Sequence, residues 1–177
     1  LLVPAHTHRG LKYVWATFGE DQIDVNFENP EVLFEYIKII LLYISKGSRF
    51  IRLDAIAFLW KKAGTRCINL RETHEVVKLL RDIVDVVAHG TVIITETNVP
   101  NGENLSYFGN SDEAHMIYQF TLPPLLLHAL HHGNSTYLSR WALDMPRPQK
   151  NCTYLNFLAS HDGIGLRPAE GILPESE

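Results

Sequence analysis

Gly47-Ser48-Arg49-Phe50-Ile51-Arg52-Leu53-Asp54-Ala55-Ile56-Ala57 is the stretch that decides the fold. From Arg49 to Ala57 it is short, apolar or β-branched at most positions, and opened by a Gly-Ser pair, which suits a buried strand better than a helix. Upstream, Asn29-Pro30 offers a capping side chain followed by a proline that gives up no needed donor. From Glu31 to Lys46 the apolar residues Val32, Leu33, Tyr36, Ile37, Ile40 and Ile44 recur at helical spacing, and Gly47 ends the run. Downstream, Glu72 to Val87 repeats that spacing through Val76, Leu79, Leu80, Ile83 and Val87. The order is helix, strand, helix.

The alternation continues. Thr91-Val92-Ile93-Ile94-Thr95 is the most strand-like run in the chain, and Asn98 to Asp112 reads as a polar loop. Met116 to Phe120 is a brief strand, Leu125 to His132 and Thr136 to Leu143 are helices, and Tyr154 to Ala159 is strand-like before Ser160-His161-Asp162-Gly163. Strands alternating with helices imply a parallel sheet covered by helices, an α/β fold. A chain of 177 residues holds one sizeable core. It falls short of the about 250 residues of a closed (β/α)8 barrel.

Three strand candidates carry an acid at or just beyond their C-terminal ends: Asp54, Glu96 and Asp162. In a (β/α)8 barrel that end of the strands holds the active site. Arg52 and Asp54 are two residues apart, so a strand turns both to one face, where the guanidinium favours the ionised carboxylate that a nucleophile requires. Retaining glycosyl transfer uses a nucleophilic carboxylate and a proton-donating carboxyl about 5–5.5 Å apart, a distance that neighbouring strands can supply. A third carboxylate can bind sugar hydroxyls and stabilise the positive charge of the transition state. Any one such acid is as readily a helix cap or a solvated loop charge, so the inference rests on the three together.

The same residues carry a resemblance. Phe50-Ile51-Arg52-Leu53-Asp54-Ala55, Ile94-Thr95-Glu96-Thr97-Asn98 and Ala159-Ser160-His161-Asp162 resemble, in order, the strand-four, strand-five and strand-seven motifs of the α-amylase superfamily, glycoside hydrolase family 13. Further segments resemble its sucrose phosphorylase subgroup: Thr17-Phe18-Gly19-Glu20-Asp21-Gln22-Ile23-Asp24-Val25, Lys62-Ala63-Gly64-Thr65, Leu122 to Leu130, and His161 to Gly165. Thr97-Asn98-Val99-Pro100 and Pro168 to Leu173 are more similar to the glucosylglycerate phosphorylase variant than to a Val-His continuation.

That resemblance implies roles. Asp54 would be the nucleophile, Glu96 the acid/base and Asp162 the transition-state stabiliser, with Arg52 orienting the nucleophile and His161 the sugar hydroxyls. The implied reaction moves glucose from sucrose or a related α-glucoside to phosphate through a covalent glucosyl-enzyme, releasing α-glucose 1-phosphate. The implied partners are the small-molecule α-glucoside and inorganic phosphate as co-substrate, with no cofactor and no metal. The fold implied is a partial barrel covering roughly strands four to seven, with residues 1–28 a lead-in loop and 29–173 the βα units of one catalytic domain. The family's earlier strands are expected before Leu1, and its last strand and C-terminal β domain beyond Glu177. Rival readings are an α-glucosidase or transglucosidase of the same family and a binding protein that keeps the barrel without the chemistry.

Composition narrows the partners. A net charge of −4 without basic runs argues against nucleic acid and anionic membranes. The apolar run Ile37 to Ile44 is broken by Lys38 and falls well short of the about 20 residues of a membrane span. Cys67 and Cys152 lack metal-type spacing and suit reduced thiols in a cytoplasmic protein. His128, His131 and His132 share helical spacing, but no acidic or thiol partner lies near them in sequence, so a metal site is the less favoured reading.

Overall fold

The computed structural model describes residues 2–174. Strands β1 (Leu2–Thr7) and β2 (Gly10–Trp15) form an antiparallel hairpin, with Leu2 opposite Trp15 and Thr7 opposite Gly10. The lead-in loop expected over 1–28 is thereby corrected. Gly10 takes φ +92°, and the Thr7 hydroxyl donates to the Gly10 carbonyl at 2.8 Å while accepting from the Arg9 amide. Both faces of the hairpin are largely exposed, so no apolar alternation betrays it in the sequence.

Helix α1 (Pro30–Ser45) starts as its cap predicts, the Asn29 side chain accepting from the Glu31 amide at 3.1 Å. Strand β3 (Phe50–Leu53) is shorter than the expected Arg49 to Ala57. Ala55 adopts φ 45°, a left-handed conformation no strand tolerates, and a short 3-10 turn follows at Ile56–Phe58. Helix α2 (Arg71–Val87) and strand β4 (Val92–Thr95) come next. The polar stretch read as a loop contains helix α3 (Asn101–Leu105), too short for a periodic signal. Strand β5 (Met116–Tyr118), helix α4 (Leu122–His132), helix α5 (Thr136–Asp144) and strand β6 (Thr153–Leu155) complete the elements.

Strands β3, β4, β5 and β6 lie side by side in that order, all parallel. Among the described residues this sheet does not close; four parallel strands joined through helices have the arrangement expected of part of a (β/α)8 barrel. Parallel order follows from the connections, because each pair of strands is joined through helical segments long enough to return the chain to the same end.

The helix side of the sheet carries the core. Val76, Leu80 and Val84 of α2 pack with Ile40 of α1 on Ile51 and Ile93. A second cluster gathers Val77, Ile56, Ala57, Val99, Tyr107, Phe108, Ala114 and Ile117. Ile93 is 1% exposed, and Ile93→Ala is expected to lower stability by about 2–5 kcal/mol in urea unfolding. Helix α2 joins the sheet through charge as well: Arg81, nearly buried, pairs with Asp85 at 2.7 Å and donates to the Glu113 carbonyl at 3.0 Å. Asp85 also meets His115 at 3.3 Å, whose other ring nitrogen faces the Ile93 amide at 3.1 Å. Cys67 and Cys152 are free thiols. The rings of His128 and His132 stack at 4.4 Å, and Tyr137 meets His128 edge-on. Among the described residues no helix is long and apolar enough to cross a membrane.

Candidate active site

The C-terminal ends of the parallel strands open on a cavity of about 400 Å³. It lies within the range usual for small-molecule sites. Asp54, Glu96, His161 and Asp162 line it, and Arg52 joins Glu96, His161 and Asp162 around an adjoining recess. All five residues singled out from the sequence therefore meet at one place.

Each arrives differently. Asp54 directly follows β3, where the turn at Ala55 breaks the strand. Arg52 Nη1 lies 2.6 Å from Asp54 Oδ1, the shared face expected from their spacing, and its guanidinium stands 5.6 Å from the Tyr118 ring centre. Glu96 follows β4, its amide still donating to the Leu53 carbonyl at 3.0 Å. Asp162 sits farther from its strand than expected, because β6 ends at Leu155. A tight reversal carries it back, with the Ser160 and Gly163 backbones paired, Gly163 at φ +80°, and the Asp162 amide donating to Ser160 Oγ at 3.2 Å. His161 Nε2 lies 3.2 Å from Asp162 Oδ2.

The left-handed turn has a second consequence. It aims the Ala55 amide at Glu96 Oε2, 2.8 Å away, so the residue after one acid holds the other. Burial raises the Glu96 pKa above the ordinary carboxylate value; the Ala55 amide and the Arg52 charge oppose that rise, and the nearby Asp54 and Asp162 add to it. A group so placed keeps its proton to higher pH, as a general acid must. The native state then binds this proton more tightly than the unfolded chain, so stability falls as pH rises from the unfolded Glu value to the raised native one. Glu96→Gln is expected to flatten that decline in urea unfolding measured from about pH 4 upward.

Residues not foreseen as site residues complete the walls. Phe120 and Phe157 meet edge-on at 5.2 Å, each packs against Tyr118, and the first two line the cavity. Such faces suit the apolar side of a sugar ring. Asn98 lines it too, and a Cβ on Gly165 would stand 2.8 Å from its amide nitrogen, so glycine there leaves Asn98 its place. Behind Glu96, the Thr97 hydroxyl donates to Asn104 Oδ1 at 2.5 Å and Asn104 Nδ2 to the Tyr118 carbonyl at 2.8 Å, tying α3 to the ends of β4 and β5. Phe18 and Gln22 close the side toward the hairpin. Only periodic aromatics at strand ends could have announced Phe120 and Phe157. The others depend on loops, which carry no period.

Known proteins are similar to this chain. The chain is 56% identical over 167 residues to glucosylglycerate phosphorylase of Escherichia coli (strain K12), covering 94% of this chain and 30% of that protein. It is 49% identical over 178 residues to glucosylglycerate phosphorylase of Allomeiothermus silvanus, covering all of this chain and 32% of that protein. The chain thus spans about a third of the length of these relatives. The crystal structure of sucrose 6F-phosphate phosphorylase from Thermoanaerobacter thermosaccharolyticum superposes with a TM-score of 0.83 at 22% identity, over 99% of this chain and 35% of that one, a likeness of fold. The sequence profile of the alpha amylase catalytic domain matches residues 6–163. The chain belongs to the alpha-amylase family, as part of its catalytic domain.

Proposed function

We propose that this chain carries the catalytic centre of a retaining α-glucoside phosphorylase whose donor is glucosylglycerate. The observation that carries the reading is the 56% identity to a glucosylglycerate phosphorylase over 94% of the chain. The clustered acids supply the chemistry. Asp54 attacks the anomeric carbon as Glu96 protonates the leaving oxygen, which departs as glycerate with the Glu96 proton, leaving a β-linked glucosyl ester on Asp54. A hydrogen phosphate oxygen then attacks from the vacated α face. The Asp54 ester bond breaks, the phosphate proton passes to Glu96, and α-glucose 1-phosphate leaves with net retention. Asp162 and His161 hold the glucosyl hydroxyls, and Arg52 holds Asp54 in line.

Assays of the protein extended to its relatives' length, with glucosylglycerate or sucrose and with or without phosphate, test the donor. Phosphate-dependent α-glucose 1-phosphate from glucosylglycerate, at a higher kcat/KM than from sucrose, is expected. Release of glucose at the same rate without phosphate would indicate a hydrolase instead. The isolated 177 residues are expected to be inactive, because among the described residues β3 and β6 are open edges of the sheet, each paired on one side alone, and the Asp54 and Asp162 side chains are 71% and 69% exposed, leaving the charges in water where their interactions are weak.

A further inference from the structure

We infer that Lys61, acting through Asp24 and Thr17, is a positioning residue that keeps water out of the glucosyl-enzyme, an inference that rests on the covalent mechanism proposed above. Lys61 lies outside the catalytic cluster, yet its side chain is only 9% exposed. Its ammonium has three oxygen partners: the Phe58 carbonyl at 2.6 Å, Thr17 Oγ1 at 2.9 Å and Asp24 Oδ2 at 3.0 Å. The Thr17 hydroxyl donates in turn to the same Asp24 oxygen. A buried ammonium is tolerated only when its donors are matched in this way.

The geometry joins two separate segments. Lys61 belongs to the segment that leaves β3 just after Asp54, and Thr17 and Asp24 stand at the two ends of the loop that follows the hairpin. The Asp24 amide donates to the Trp15 carbonyl at 2.9 Å, closing the base of that loop, and the Gln22 amide donates to the Gly19 carbonyl at 3.0 Å at its tip. Phe18 meets Phe58 edge-on at 5.3 Å, a second fastening between the same two segments. Held so, the loop presents Phe18 and Gln22 to the cavity that contains Asp54, Glu96 and Asn98. Its base is pinned by charge and its tip forms the wall.

After the first product leaves, the ester on Asp54 waits for phosphate with water as competitor. A wall displaced by about 1 Å is enough to change reaction rates up to about a hundredfold. Release of the Lys61 clasp loosens the Phe18 and Gln22 wall, admits water and weakens phosphate binding, while Asp54 and Glu96 remain supported by Arg52 and Ala55.

The test uses the protein at its relatives' length, with Lys61→Met, Asp24→Asn and the double variant, supplied with α-glucosyl fluoride. The readout is the ratio of glucose to α-glucose 1-phosphate at fixed phosphate, and of glucose to glucosylglycerol at fixed glycerol. Because each ratio is taken per covalent intermediate, partial unfolding does not move it. The expected result is a rise of about tenfold in both single variants and no further rise in the double, since both remove one interaction. Asp24→Asn keeps the shape of the side chain, so it reports even if Lys61→Met does not fold. Unchanged ratios in Asp24→Asn overturn the inference. A wild-type enzyme that makes glucosylglycerol but no glucose 1-phosphate overturns the phosphorylase reading alone, and the glycerol ratio then decides the role of Lys61. No turnover of the fluoride overturns both.

Discussion

Asp54→Asn, in the protein extended to its relatives' length, is expected to lose at least about a thousandfold in kcat with little change in unfolding midpoint. The amide fills the space of the carboxylate but forms no glucosyl ester, so the first step has no nucleophile. Stability should hardly respond, because the Asp54 side chain is 71% exposed and its ion pair with Arg52 stands at the open mouth of the site. Asp54→Gly makes the stereochemical case. With the carboxylate gone, azide can enter from the β face and displace fluoride from α-glucosyl fluoride, giving β-glucosyl azide. Recovery of near-normal rates in Asp54→Asn would remove Asp54 from the role of nucleophile.

Glu96→Ala is expected to lose about 10²–10⁴-fold on donors whose leaving oxygen needs a proton, and far less on α-glucosyl fluoride, whose leaving group needs none. Azide should accelerate that variant too, but through the intact ester on Asp54, from the α face, to give α-glucosyl azide. The two variants thus predict opposite anomers from one substrate. NMR of the azide products distinguishes them, and the same anomer from both would mean that one of the two acids has been misassigned. The basic limb of the wild-type pH profile should reflect the raised Glu96 pKa and disappear for the fluoride in Glu96→Ala.

Glu96 was legible in the sequence because a buried parallel strand imposes two local signals: a run of β-branched residues, and an abrupt change to polar residues where the strand leaves the core. Ile93-Ile94-Thr95-Glu96 has both, and β4 and Glu96 stand where that run places them. The Arg52 and Asp54 pairing followed from the two-residue period and is present at 2.6 Å. What stayed hidden depends on contacts between distant segments. Nothing near Ala55 announces its left-handed backbone, which shortens β3 and turns an amide toward Glu96, 41 residues away. The hairpin of β1 and β2 has no buried face to impose alternation. Lys61 looks in sequence like one of a pair of solvated lysines with Lys62, and only the fold brings Asp24 to it and leaves Lys62 61% exposed. The assignment of roles among the acids came from family resemblance rather than from spacing, which supplied three carboxyls without ranking them.

The covalent intermediate on Asp54 is the claim on which the proposed mechanism depends. Glu96→Gln in the protein at its relatives' length, mixed with α-glucosyl fluoride and quenched in acid, should accumulate that ester, since the base that assists its breakdown is gone. Proteolysis and mass spectrometry are then expected to find one hexosyl increment on the peptide containing Arg52-Leu53-Asp54-Ala55, lost on adding azide, which needs no base, before the quench. An increment on the peptide containing Asp162, or no increment while fluoride is still consumed, would contradict the account.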